Sequence, residues 1–270
     1  MAGNSKSIIV TGGLSGIGLA EVTLMSSASN KIAVLDISPT LASSVLIDLR
    51  SKFPQTTFLF KKADVSSWDE QAAAFEEVHK EFGSIDVVFA NAGVSEIGEF
   101  LERSEDASAG PTKPNLKTLD IDLSGLLYTV RLAVHYMRKN ATSEKGSIIC
   151  TASNAGIYAF PAAPMYGVAK HGVVGAVRSL AEPLSKEGIR INGICPNVIR
   201  TGLASDHLFE AMQLTPMQTA LDAIEAFLND SAMTGGTAEI SGEKFTLREA
   251  PAFIDDITAK NFVVFGEKGA

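Results

Sequence analysis

Tyr166 and Lys170 stand four residues apart in the stretch from Ser153 to Lys170. On a helix that spacing stacks the two side chains on one face, one turn apart. A phenol has an unperturbed pKa of about 10 and is a poor acid or base near neutral pH. An ammonium group beside it favours the phenolate and lowers that value. Ser153 follows the apolar run Ser147-Ile148-Ile149-Cys150, which reads as a strand, so its hydroxyl sits at a strand end. There it can hydrogen-bond a substrate oxygen held near Tyr166. Together the three make a device for moving a proton on or off a C–O group. The same Tyr-x-x-x-Lys spacing also suits a tyrosine packed beside a solvated lysine, and the surrounding elements decide between the two.

Those elements begin with the β-rich run Ser7-Ile8-Ile9-Val10-Thr11. It breaks at Gly12-Gly13-Leu14-Ser15-Gly16-Ile17-Gly18 and resumes as a helix-like stretch, Leu19 to Ala28. Strand, glycine loop and helix form the context of a dinucleotide-binding turn. Glycine lets the backbone approach a pyrophosphate without an intervening Cβ. The helix start presents free N–H groups and partial positive charge to the phosphates. Gly12, Leu14, Ser15, Gly16, Ile17 and Gly18 are therefore the candidate cofactor-cradling positions. The pattern Gly12-x-x-x-Gly16-x-Gly18 is one residue longer than G-x-G-x-x-G, and a plain structural turn is the alternative. A second strand, Lys31 to Leu35, ends in Asp36. A carboxylate there accepts from the adenosine ribose hydroxyls of NAD and repels the extra phosphate of NADP. Ser15 and Ile37 supply no basic group for that phosphate, so NAD is favoured. Asp36 also suits a cap on the following helix, since Ser38-Pro39 opens a turn.

Thr56 to Lys61 reads as a third strand, followed by Ala63-Asp64-Val65. Ser66 or Ser67 caps a helix that runs to about Phe82 and is ended by Gly83. Ile85 to Ala90 is apolar but for Asp86, the pattern of a strand buried on both faces of a parallel sheet. It runs into Asn91-Ala92-Gly93, small residues that let a ring system lie close to the backbone. Residues 94–114 read as a solvated excursion with acids at Glu96, Glu99, Glu102, Glu105 and Asp106. A long helix is predicted over 115–139, a strand over Gly146 to Thr151, the Tyr166 helix over Met165 to Lys186 and a sixth strand over Ile189 to Ile194. Alternating β and α units imply an α/β Rossmann-like fold, a doubly wound parallel sheet in a single domain over residues 1–241. Beyond Pro196, residues 202–218 carry Leu203, Leu208, Phe209, Met212, Leu214 and Met217. Lying past a strand's carboxyl end, they suit a substrate lid, or else an amphipathic surface segment. A helix from about Gln218 to Asn229 and a last short strand at Ala238-Glu239-Ile240 follow. In the tail, 242–270, Phe253, Ile254, Phe262, Val263, Val264 and Phe265 suggest docking on the chain's own fold or on a partner subunit.

A chain of 270 residues suits one large α/β domain. With 46% hydrophobic and 20% charged residues it has enough apolar material for a sizeable core. A net charge of −8 argues against nucleic acid as a partner. No apolar run reaches the roughly 20 residues of a membrane helix, and the first residues lack the shape of a signal peptide. Cys150 and Cys195 lie at the ends of apolar runs and read as reduced, buried thiols, which predicts a cytoplasmic setting. His79, His135, His171 and His207 show no metal-ligand spacing, so no metal is expected.

Taken together, Thr11-Gly12-x-x-x-Gly16-x-Gly18, Asp64, Asn91-Ala92-Gly93, Ser153 and Tyr166-x-x-x-Lys170 resemble the short-chain dehydrogenase/reductase family, over residues 7 to about 241. The segment Ile194 to Thr201 looks like the branch similar to 15-hydroxyprostaglandin dehydrogenase, which includes many fungal members. The resemblance implies Tyr166 as the acid/base, Lys170 as its partner and a contact of the nicotinamide ribose, and Ser153 as the group positioning the substrate oxygen. It implies Asp64 and Val65 near the adenine and Asn91 near the adenine-side ribose. Ala92 and Gly93 complete that cofactor segment, while Val198 and Thr201 should contact the nicotinamide amide. Two positions depart from the family. Where its Asn-x-x-Gly pattern places a fourth catalytic residue, this chain reads Asp122-Leu123-Ser124-Gly125. Aspartate keeps the shape but has no N–H donor when ionised, and its charge would interact with Lys170. Asn197 stands where the family mostly has glycine, and asparagine tolerates that turn.

The expected activity is NAD-dependent hydride transfer between nicotinamide and a secondary alcohol or its ketone. Ile157, Tyr158, Phe160, Met165 and the methionine-bearing lid point to a bulky lipophilic substrate. A cofactor-binding non-redox scaffold is one alternative, resting on Asp122. An isomerase or cyclase using the same site is another. A homodimer or homotetramer is expected by resemblance.

Overall fold

The apolar runs pair into one eight-stranded sheet in the computed structural model, which describes residues 5–101, 110–203 and 206–268. β1 (Ser7–Thr11), β2 (Lys31–Asp36), β3 (Thr57–Lys62), β4 (Val87–Ala90), β5 (Gly146–Thr151), β6 (Ile189–Pro196) and β7 (Thr237–Ser241) are all parallel. β8 (Lys244–Arg248) adds an antiparallel edge. The order is β3-β2-β1-β4-β5-β6-β7-β8. The chain starts in the middle, winds outward to β3, then returns beside β1 as β4. This reversal opens a crevice at the carboxyl ends of β1 and β4, where Gly12 and Asn91 lie.

Strand side chains alternate between two cores, as a pleated strand requires. Ile9, Val88, Ile148 and Ile191 pack on the face covered by α3 (Trp68–Phe82), α5 (Leu126–Met137) and α6 (Pro164–Ser185). Ile8, Val10, Phe89 and Ile149 pack on the face covered by α1 (Gly16–Met25), α2 (Pro39–Lys52) and α8 (Met217–Asn229). Ser38 and Ser67 cap α2 and α3, accepting from Leu41 and Glu70 N–H at 3.3 Å each, and left-handed Gly83 ends α3.

The helix predicted over 115–139 is not uniform. α4 (Lys117–Leu119) runs into a π-helical turn, Asp120–Gly125, before α5 begins. Single π turns often accompany functional sites, and this one carries Asp122. The sheet also continues past residue 241 into β8, because the hairpin at Gly242 folds residues 244–248 back on β7. In the lid segment, α7 (Asp206–Glu210) is short and anchored by buried Phe209, whose ring lies 5.2 Å from the Arg200 guanidinium. The side chain of Leu208 and the acids Glu102, Glu105 and Asp106 lie outside the described residues. α9 (Asp256–Lys268) leaves Ile257, Phe262, Val263 and Phe265 exposed within the single chain.

Candidate active site

The glycine loop is shaped by close backbone approach. Gly12 has φ +65°, and a Cβ there would meet Ala92 Cα at 2.8 Å. A Cβ at Gly18 would run into the Gly12 carbonyl and Asn91 Nδ2. Ser15 precedes α1 without a side-chain cap, and the first turn carries no acid. The N–H groups at this helix start are therefore not claimed by an acidic side chain, the electrostatic setting that suits a phosphate. Asp36, at the end of β2, faces the loop: its Oδ2 accepts from Leu14 N–H at 3.3 Å and its Oδ1 from Ser38 N–H at 3.1 Å. Asp36 thus supports the turn before α2, but Ser38 is the helix cap.

Asn91 is tied into the frame at both ends. Its Nδ2 donates to the Thr11 carbonyl at 3.2 Å, and its Oδ1 accepts from Thr151 Oγ1 at 3.1 Å. Thr11 Oγ1 accepts from the N–H groups of Asn91 and Ala92. Three strand ends are thereby locked together beneath the crevice. Thr11, which opens the glycine pattern, and Thr151, which nothing local in the sequence singles out, carry this work. Asp64 closes its own loop, its Oδ1 accepting from Ser66 N–H at 2.9 Å and Ser66 Oγ at 2.7 Å. Val65 offers its carbonyl to Gln71 Nε2 at 2.6 Å, and the same Nε2 reaches the Gly125 carbonyl. Val198 accepts from Thr215 N–H at 2.7 Å, and Thr201 approaches the glycine loop near Gly16.

Around Tyr166, Lys170 is buried and its ammonium lies 5.3 Å from the Tyr166 ring centroid. It donates to the Thr151 carbonyl at 3.2 Å and sits 3.0 Å from Asp122 Oδ2. Asp122 is wholly buried. Its Oδ1 accepts from Val94 N–H at 2.8 Å, whereas Oδ2 meets the ammonium outside good hydrogen-bond geometry, so that attraction is chiefly coulombic. Burial alone would lower the Lys170 pKa. The Asp122 carboxylate, then the Tyr166 phenol, outweigh it and hold the lysine above its ordinary value.

Ser153 is half-buried, begins a short 3-10 turn and accepts from Ala155 N–H at 3.1 Å. Its hydroxyl lies 3.5 Å from the Pro196 carbonyl. Phe160 packs edge-on to Tyr166 at 6.2 Å. Burial pushes the thiols of Cys150 and Cys195 up to about 12, so neither is a nucleophile here. Glu96 departs from the solvated excursion expected over 94–114: it accepts from the N–H groups of Met165 and Tyr166. The available signal was Ala163-Pro164, a helix start with no local acceptor. Among the described residues no cluster has the makings of a metal site, and no helix is long and apolar enough to cross a membrane.

Comparison with known proteins agrees with this geometry. The short chain dehydrogenase family matches residues 6–210. The chain is 34% identical over 218 residues to the short-chain dehydrogenase/reductase ascJ of Acremonium egyptiacum, covering 80% of this chain and 70% of that one. It is 36% identical over 193 residues to prx7 of Penicillium rubens, covering 69% and 66%. The match thus spans about two thirds of the length of these relatives. Among solved structures, levodione reductase superposes with a TM-score of 0.76 at 24% identity, covering 88% of this chain and 96% of that one. At that identity the likeness concerns the fold.

Proposed function

The chain belongs to the short-chain dehydrogenase/reductase family, and from that premise we propose that it is an NAD-dependent oxidoreductase acting on a bulky, lipophilic secondary alcohol or the corresponding ketone. The observation that carries this reading is a buried, charged Lys170 beneath Tyr166, at the same end of the sheet as the glycine loop. The loop fits the cofactor: glycine at position 12 lets the turn lie against Ala92 at the crevice, the α1 start carries no acid, and the Asp36 carboxylate suits ribose hydroxyls. When bound, NAD supplies the hydride acceptor, or its reduced form the donor.

The chain's own residues do the rest. Ser153 Oγ holds the substrate oxygen. Tyr166 Oη takes the hydroxyl proton during oxidation and returns it during reduction. Lys170 stabilises the Tyr166 phenolate, which is the base in oxidation and is left behind when the phenol gives up its proton in reduction, and Asp122 keeps that lysine charged despite its burial. Phe160, beside Tyr166, and exposed Tyr158, Leu203, Met212 and Leu214 supply apolar surface for the substrate. The reading includes a homo-oligomer, supported by the exposed apolar side chains of α9, and a cytosolic setting, supported by the two free buried cysteines.

The test is calorimetric titration with NAD and NADP, followed by a panel of hydrophobic secondary alcohols. NAD should bind more tightly, and bulky alcohols should outpace short charged hydroxy acids. Tyr166→Phe should keep NAD binding and lose about a hundredfold or more in turnover. Tighter NADP binding would remove Asp36 from its role. Full turnover by Tyr166→Phe would overturn the mechanism.

A further inference from the structure

The helix that carries Tyr166 begins without a cap of its own. Ala163 occupies the N-cap position and offers no side-chain acceptor, while Pro164 takes the first helical position. The N–H groups of Met165 and Tyr166 must therefore find acceptors elsewhere. Both find one carboxylate. Met165 N–H donates to Glu96 Oε1 at 3.2 Å, and Tyr166 N–H donates to Glu96 Oε2 at 2.7 Å. Such bonds are charge-assisted, and a negative group at a helix start is further favoured by the helix dipole.

Glu96 is itself held from both sides. Ile97 N–H donates to the buried Thr118 Oγ1 at 2.9 Å, and that hydroxyl lies 3.5 Å from the Ser95 carbonyl. Val94 N–H is fixed on Asp122. The segment that leaves Asn91-Ala92-Gly93 is thus pinned at Val94 and Ser95 before the carboxylate and at Ile97 after it. It spans from the cofactor crevice to the first turn of α6.

The geometry points to Glu96 as the positioning residue of Tyr166. Its carboxylate replaces the missing N-cap, fixes the turn that aims the phenol over Lys170, and joins that turn to the segment following the cofactor crevice. The inference rests on the reading of Tyr166 as the proton-transfer group, so its test needs a readout independent of turnover. That readout is amide hydrogen exchange at Met165 and Tyr166 in the full chain.

In Glu96→Ala both amides should exchange about tenfold or more faster, since the first turn opens locally. Turnover should fall about ten- to a hundredfold through misaimed reacting groups, while NAD affinity stays within about twofold. Glu96→Gln keeps one carbonyl acceptor and should lie between, and it serves if the alanine variant folds poorly. Adding Ala163→Asp to Glu96→Ala supplies a local cap and should restore both amide protection and most of the turnover. Unchanged exchange in both single variants would overturn the cap. Faster exchange with turnover intact, or protection restored without turnover, would overturn the positioning role. If the unmodified protein turned over no alcohol or ketone, the functional reading would fail. The cap itself would still stand or fall on the exchange data.

Discussion

Asp122 and Glu21 are both carboxylates with no exposed surface, and the fold treats them in opposite ways. Asp122 sits in the π turn at the reacting end, with Lys170 at 3.0 Å and the Val94 N–H at 2.8 Å. Glu21 sits on α1, and among the described residues neither of its oxygens has a hydrogen-bond partner. Burial holds the Glu21 carboxyl well above the usual carboxylate range. A buried acid has two ways to avoid an uncompensated charge: gain a cation, or keep its proton. Asp122 takes the first and Glu21 the second. The contrast separates a buried carboxylate paired with Lys170 from a buried acid that the core merely tolerates.

The largest effect should come from breaking the paired case. Asp122→Ala leaves Lys170 buried beside no carboxylate, and removing one partner of a buried pair costs about 3–5 kcal/mol. Urea unfolding of the variant at neutral pH measures it. A cost below about 1 kcal/mol would mean that Asp122 and Lys170 do not balance each other, and the contrast with Glu21 would collapse.

The next effect has the opposite sign. Glu21→Leu removes an unsatisfied buried polar group, worth about 1–3 kcal/mol, so the variant should be more stable near pH 7. The pH dependence identifies the cause. Below the ordinary glutamate range both folded and unfolded chains hold the Glu21 proton. Above it the unfolded chain loses the proton while the folded one keeps it, so stability falls as pH rises, until the folded group itself ionises. Glu21→Leu should gain more above that range than at acid pH, where only the cost of burying the neutral carboxyl is relieved. A gain independent of pH would point to packing instead of protonation.

The contrast also marks what the sequence could and could not disclose. Runs such as Ile8 to Val10 and Ile148 to Cys150 are buried on both faces, so their apolar continuity announces central strands. Gly12 and Gly18 are legible because a glycine-rich break between a strand and a helix is itself a pattern, although what excludes a side chain there is the approach of Ala92 and Asn91. Asp122 was legible only as a departure from a pattern. Its π turn was not, because a one-residue change in helical pitch leaves the apolar spacing nearly intact. Glu96 was misread because its acceptor role depends on a helix start that the chain reaches only at Tyr166. Glu21 gave no signal, since a single acid in an almost wholly apolar helix reads as its solvent-facing position.

The smallest effect refines the paired case. Lys170 is held above the ordinary lysine value, so its contribution to stability is present below that value and fades as pH rises through the folded one. Asp122→Asn keeps an oxygen for the Val94 N–H but removes the charge that opposes burial. Burial then dominates, and the lysine should lose its proton at lower pH. The alkaline loss of stability, and of any activity that needs a charged Lys170, should begin at lower pH than in the parent. Thermal unfolding between pH 8 and 11, together with a pH–rate profile, reads the shift. Glu21→Leu should leave this alkaline limb where it is. If both variants moved it equally, the lysine would be responding to general loosening of the core and not to Asp122.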